Sequence, residues 1–225
     1  MENQAQPATK PVKYIVLIAV FVLPIAFFYF LGAFNKSKLK SLPIYTPESA
    51  ECPPNTENDT AHHVLPFTLT DQDGKIFTRE NMKGKITVVD FIFTRCPNIC
   101  IDMSSEMARL QENFSSSNDI LFLSHTVDPE YDSVPVLKKY AEHYRADEKI
   151  WRFVTGNKDS LYHLAKCSYF IVASQNGSNV NDFNHSDKFI LIDKEGRIRG
   201  YYGGTDKTEI DRLMTEIRLL RKEYE

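Results

Sequence analysis

Between Ile86 and Phe93 the chain reads Ile-Thr-Val-Val-Asp-Phe-Ile-Phe, an almost unbroken β-prone apolar run that empties straight into Cys96-Pro97-Asn98-Ile99-Cys100. A strand of this kind is at ease only where both of its faces are covered, which makes it the centre of a sheet lying between other layers. Downstream, Ile99, Met103, Met107, Leu110 and Phe114 recur at gaps of 4, 4, 3 and 4, so a helix with one apolar stripe packs back against that sheet. A buried strand followed at once by such a helix restricts the chain to a layered α/β architecture.

The rest of the chain continues the alternation. Phe67 to Thr70, the turn Asp71-Gln72-Asp73-Gly74-Lys75, and Ile76-Phe77 read as a leading hairpin. Ile120 to Ser124 is the next buried strand, and Asp132 or Ser133 can cap a helix running to about Tyr144. Trp151 to Val154 is a short strand and Ser160 to Cys167 a short helix. Lys188 to Asp193, the turn Lys194-Glu195-Gly196 and Ile198 to Tyr202 form a second hairpin, and Lys207 to Leu220 closes the chain as an amphipathic helix. The segment has no internal repeat.

Ahead of this domain, residues 14–35 carry no charge, and Tyr14 to Phe34 is about the length that a helix needs to cross a bilayer. The expected division is a flank over 1–13, a single transmembrane anchor over 14–35, a tether over 36–63 rich in Pro, Ser, Asn and Thr, and one domain over 64–225. Lysines lie on both sides of the apolar run and leave its orientation undecided. From residue 41 onward there are 22 basic and 29 acidic groups. Such a mildly acidic domain is a poor match for a phosphate backbone, and no nucleic-acid partner is expected.

Of the four cysteines, Cys96 and Cys100 carry the chemistry. With Pro97 suited to a first helical turn, their i,i+4 spacing puts both sulfurs on one face, within reach of one soft metal ion or of each other. A helix N-terminus stabilises a thiolate through its unpaired N–H groups and its dipole, so a reactive sulfur is expected at Cys96. Two sulfurs leave a metal short of ligands. Among six histidines His185 is the best third donor, standing in Asn184-His185-Ser186 just before the late apolar strand. Two sulfurs and an imidazole suit copper, whereas zinc ordinarily takes four ligands or an open water site. Metal binding, dithiol redox chemistry and an inert structural pair all remain open on these residues alone.

Asp90 interrupts the central strand, where a carboxylate is costly without a proton or a hydrogen-bond partner, and it is placed either to manage protons for the thiols or to bond at a sheet edge. Asp128 follows a strand in a position usual for a site loop, and serves equally as a turn cap. Cys52 and Cys167 cannot be paired from spacing alone, and the periodicity of Met103 and Met107 marks them as core residues before it marks them as soft ligands.

The stretch Phe93-Thr94-Arg95-Cys96-Pro97-Asn98-Ile99-Cys100 resembles the FTxCPxxC element of the SCO/SenC family of copper proteins. Further matches are Thr126-Val127-Asp128-Pro129 with Asp132 and Pro135, Trp151 to Gly156, and Asn184-His185-Ser186 leading into Phe189 to Asp193. The resemblance extends from Leu65 to about Leu220 and implies a thioredoxin-like fold. It further implies a copper ion held by Cys96, Cys100 and His185, with Asp90 and Asp128 as outer groups that orient the ligands. The implied task is assembly of the binuclear copper centre of cytochrome c oxidase, with the copper-site subunit of that enzyme as partner and an upstream copper donor or thiol reductant as supplier. The family also implies a single-pass anchor, which the absence of an Arg-rich leader assigns to a bacterial inner membrane, with the domain facing the periplasm or cell exterior. The alternative is a thiol-disulfide oxidoreductase in which Cys96 attacks a client disulfide and Cys100 resolves it.

Overall fold

The computed structural model describes residues 20–27, 41–46, 52, 61–171 and 187–225. Residues 1–41 and 42–225 form separate compact units. In the first, residues 20–27 are helical. Among the described residues no helix is long and apolar enough to cross a membrane. This corrects the expected transmembrane anchor and, with it, the expected single-pass placement in a bacterial membrane. The remainder of the apolar run, 14–19 and 28–35, lies outside the described residues.

The second unit is a mixed seven-stranded sheet: β1 (Thr68–Asp71), β2 (Ile76–Thr78), β3 (Ile86–Ile92), β4 (Ile120–Thr126), β5 (Trp151–Thr155), β6 (Lys188–Ile192) and β7 (Ile198–Gly203). Their order across the sheet is β2-β1-β5-β4-β3-β6-β7. Strands β3, β4 and β5 run parallel, and the two hairpins flank them antiparallel. Among the described residues its α-helices are α1 (Ile99–Phe114), α2 (Val134–His143), α3 (Lys158–Cys167) and α4 (Lys207–Lys222). This is the thioredoxin-like layered arrangement that the apolar run of β3 demands, and every residue of β3 and β4 is buried.

The pleat divides the strands between two cores. Ile86, Val88 and Ile92 face α1, α2 and α4, packing with Met103, Met107, Leu110, Leu213 and Ile217. Val89 and Phe91 face the other way, toward α3 and the first hairpin, with Leu164, Tyr169, Leu69 and Phe77. Met103 and Met107 are fully buried side chains of the first core, as their helical spacing predicts. The turn of the second hairpin closes at Gly196, whose φ of +88° is a conformation that favours glycine.

Part of the segment ahead of β1 is built into the domain. Leu42 joins the first core and Tyr45 bridges to Ile198. Arg199, almost wholly buried, donates to the carbonyls of Leu42 and Pro43 and is neutralised by Asp193 and Glu223. Cys52 forms a disulfide with Cys167 at the end of α3, their Cα atoms 5.4 Å apart. His62 and His63 bond to the carbonyls of Ser168 and Glu195, 2.9 Å in each case.

Candidate metal centre

The site lies where β3 and β4 end. After Ile92 the chain makes a tight turn, closed by the Cys96 N–H donating to the Phe93 carbonyl at 3.1 Å, and α1 then begins at Ile99. Cys100 therefore occupies the first turn of α1, while Cys96 precedes it. The sequence places both sulfurs on that helical turn, and the difference has a local cause: Pro97 disfavours helical backbone at the residue before it. The sulfurs still meet. Asn98, the N-cap, makes no side-chain bond to the helix end; instead the Cys100 N–H points at the Cys96 Sγ, 3.4 Å away. Both cysteines are free, and exposure is only 8% at Cys96 and 3% at Cys100.

Burial pushes the Cys100 thiol pKa up; Cys96 adds to the rise as hydrogen-bond partner and charge, Asp90 adds its own charge, and the Phe93 backbone opposes them. Tyr140 flanks Cys100 from α2, its hydroxyl 3.5 Å from the Cys100 carbonyl and 2.8 Å from Ser104 Oγ.

Asp90 sits behind this pair in the middle of the sheet, registered against Ser124 of β4, so the edge-strand alternative does not hold. Neither carboxylate oxygen lies in hydrogen-bond geometry with a partner, and the facing Ser124 hydroxyl accepts from Trp151 Nε1 at 2.9 Å. Desolvation raises the Asp90 pKa from 3.8 to about 7, against a smaller opposing influence of Ser124. A carboxyl that titrates near neutral pH thus lies on the sulfur side of the sheet. His125, the next residue of β4, points to the opposite face, where its ring stacks on Phe91 with centroids 5.0 Å apart. Burial lowers its pKa to about 3, which keeps the ring neutral.

Asp128 holds Arg95, with Oδ2 2.6 Å from Nη2, and the guanidinium lies 4.1 Å over the Tyr131 ring. Asp132, fully buried, accepts from the Thr94 and Thr126 hydroxyls and from the Thr94 N–H. The residues read individually from sequence did not include this triad. In sequence Thr94 stands in the FTxCPxxC-like stretch, Thr126 in the Thr126-Val127-Asp128-Pro129 loop, and Asp132 reads as a candidate helix cap, a place the structure gives to Ser133. His185 lies outside the described residues, and among the described residues no group of three His, Cys, Asp or Glu side chains is arranged to hold a metal. The structure thus brings together Cys96, Cys100 and Asp90, with Asp128 held at the rim by Arg95.

A family model described as SCO1/SenC matches residues 55–220. The chain belongs to the SCO1/SenC family. Within the family, the SCO1 protein homolog of Bacillus subtilis is 32% identical over 158 residues, which cover 70% of this chain and 82% of that protein. A solved structure of BsSco, reported with a disulfide switch and as a member of the Sco family of cytochrome c oxidase assembly proteins, superposes with a TM-score of 0.61. It is 31% identical and covers 73% of this chain and 96% of its own. Yeast Sco1 with copper bound gives a TM-score of 0.55 at 28% identity, covering 70% of this chain and 89% of that one. Cys96 and Cys100 are the free pair in the matched range, while Cys52 and Cys167 are joined elsewhere.

Proposed function

We propose that this chain carries a copper ion on Cys96, Cys100 and His185 and hands it to the copper-site subunit of cytochrome c oxidase, receiving it from an upstream donor. The observation that carries this reading is the pair of free, mutually interacting sulfurs at the sheet end in a SCO1/SenC chain, given a solved relative from yeast with copper bound. Thiolate donors select a soft cuprous ion, and a set of three leaves room for an incoming ligand during transfer. Metal must displace the Cys100 proton, which burial retains, so binding releases protons. Asp90, on the same face, is the carboxyl able to hold one near pH 7. Arg95 and Asp128 fix the exposed rim past which a partner reaches the sulfurs.

Anaerobic Cu(I) titration of the full chain against a chromophoric competitor tests the reading. Cys96→Ser and His185→Ala should each weaken binding by tenfold or more, about the least that loss of a ligand costs. Unchanged affinity in both variants rejects the site.

A second reading is favoured by the unpartnered Asp90 carboxyl behind Cys100 and by the disulfide switch reported for BsSco. In it, Cys96 attacks a client disulfide and releases one client thiolate. Cys100 then resolves the mixed bond, so the client gains two electrons and the chain is left with a Cys96–Cys100 disulfide. Here Cys96→Ser abolishes client reduction while His185→Ala does not, and a reduced wild type that leaves the client disulfide intact excludes it.

A further inference from the structure

The loop that delivers Cys96 is not held by its own turn alone. Thr94, two residues ahead of the sulfur, donates its N–H to Asp132 at 3.2 Å and its hydroxyl to the same carboxylate at 2.5 Å. The second carboxylate oxygen takes the Thr126 hydroxyl at 2.5 Å, and Thr126 Oγ1 in turn accepts the Asp128 N–H at 2.9 Å. Asp132 is 0% exposed, and no cation is hydrogen-bonded to it among the described residues. A carboxylate without an ion-pair partner is costly to bury, and three donors converging on it offset that cost. Those donors come from the end of β4 and from the turn between β3 and α1. The carboxylate is thus the point at which the Cys96 turn is fastened to the neighbouring strand.

We propose that Asp132 is a positioning residue for Cys96: through Thr94 it sets the backbone of the turn and so the position of the sulfur relative to Cys100. This rests on the reading that Cys96 and Cys100 are the working pair, and it adds a group that touches neither sulfur. The Cys96 to Cys100 geometry decides both how readily the pair closes to a disulfide and how it meets a soft metal. Loosening the turn therefore alters both properties together.

The decisive readout is taken on the sulfurs without metal. Reduced protein is equilibrated with glutathione, where the dithiol plus one oxidised glutathione gives the Cys96–Cys100 disulfide plus two reduced glutathiones. The pH profile of Cys96 alkylation is followed in parallel. Asp132→Asn replaces one acceptor oxygen by an N–H₂ that faces donors. It should shift the exchange constant by about tenfold or more, the scale typical of groups that orient ligands, and displace the alkylation profile. Thr126→Val removes a donor far from the turn in sequence and should shift both in the same direction by less, whereas Thr126→Ser keeps the hydroxyl and should stay within about twofold of wild type.

Exchange constants and alkylation profiles within twofold of wild type in both Asp132→Asn and Thr126→Val, with stability reduced, would show Asp132 to be structural only and overturn the proposal. Should Asp132→Asn fail to fold, the Thr126 pair decides by the same criterion, and a Val variant indistinguishable from the Ser variant is the refuting result. A wild type that takes up no Cu(I) would sink the copper reading alone, because the exchange constant is measured without metal.

Discussion

Replacing Asp90 by Asn removes a titration while keeping the side-chain shape, and the structure gives both the sign and the size of the resulting change in stability. The folded-state pKa is raised from 3.8 to about 7 by burial. Below pH 4 both the folded and the unfolded chain hold the proton, and the carboxyl costs nothing by linkage. As pH climbs from about 4 the unfolded chain releases its proton while the folded chain keeps it, so stability falls until the folded pKa is passed. About three units at 1.36 kcal/mol each come to about 4 kcal/mol lost by pH 8. Asp90→Asn lacks this loss. Urea denaturation of reduced, metal-free wild type and variant at half-unit steps from pH 4 to 8.5 should give a stability difference that grows in favour of the variant by about 1.4 kcal/mol per pH unit and levels off above pH 7. His125 titrates alike in both proteins and cancels, and burial alone holds Cys100 protonated across this range. A difference that stays flat to within about 0.5 kcal/mol would refute the picture of a desolvated carboxyl behind the sulfurs, because a solvated Asp90 would titrate near its unfolded value in the folded chain too.

Replacing His125 by Phe should remove an acid-induced loss of the opposite sign. With the folded pKa lowered from 6.5 to about 3, wild-type stability is full above pH 6.5 and declines as pH falls toward 3 by about 5 kcal/mol, and the variant's denaturation curves should lack that component. Denatured, unreduced protein should show two reactive thiols per chain. Cys52→Ala/Cys167→Ala should lower unfolding stability by about 2–5 kcal/mol, since the bond closes a loop with a sequence separation of 115; an unchanged urea midpoint would count against the disulfide. Met103→Leu exchanges one fully buried apolar side chain for another of similar volume, so it should cost under about 1.5 kcal/mol and leave Cu(I) affinity unchanged. A tenfold weaker affinity would make Met103 a ligand rather than a core residue.

Much of the domain is legible in one dimension because the physical signals there are local. The apolar run of β3, the stripe of Met103, Met107, Leu110 and Phe114, and the Gly196 turn each report a periodicity or a backbone preference carried by neighbouring residues. Boundaries are harder to read. Helix α1 starts after Cys96 because the helix-start preference of Pro97 comes with a constraint on the residue before it, and α3 begins at Lys158 because Asn157 caps it through the Ser160 N–H. The expected membrane span is the clearest departure: composition measures how apolar a run is, whereas a crossing needs a long apolar helix, and among the described residues there is none.

By itself the sequence determined an α/β layered domain and two cysteines four residues apart at the end of its central strand, since alternation, spacing and turn chemistry are properties of adjacent residues. Tertiary structure alone decided that Cys52 pairs with Cys167, that Asp90 is left without a hydrogen-bond partner opposite Ser124, and that Asp132 gathers Thr94 and Thr126 beneath the Cys96 turn. Each depends on strand register and on how far water is excluded. Those quantities exist only once distant segments have packed together.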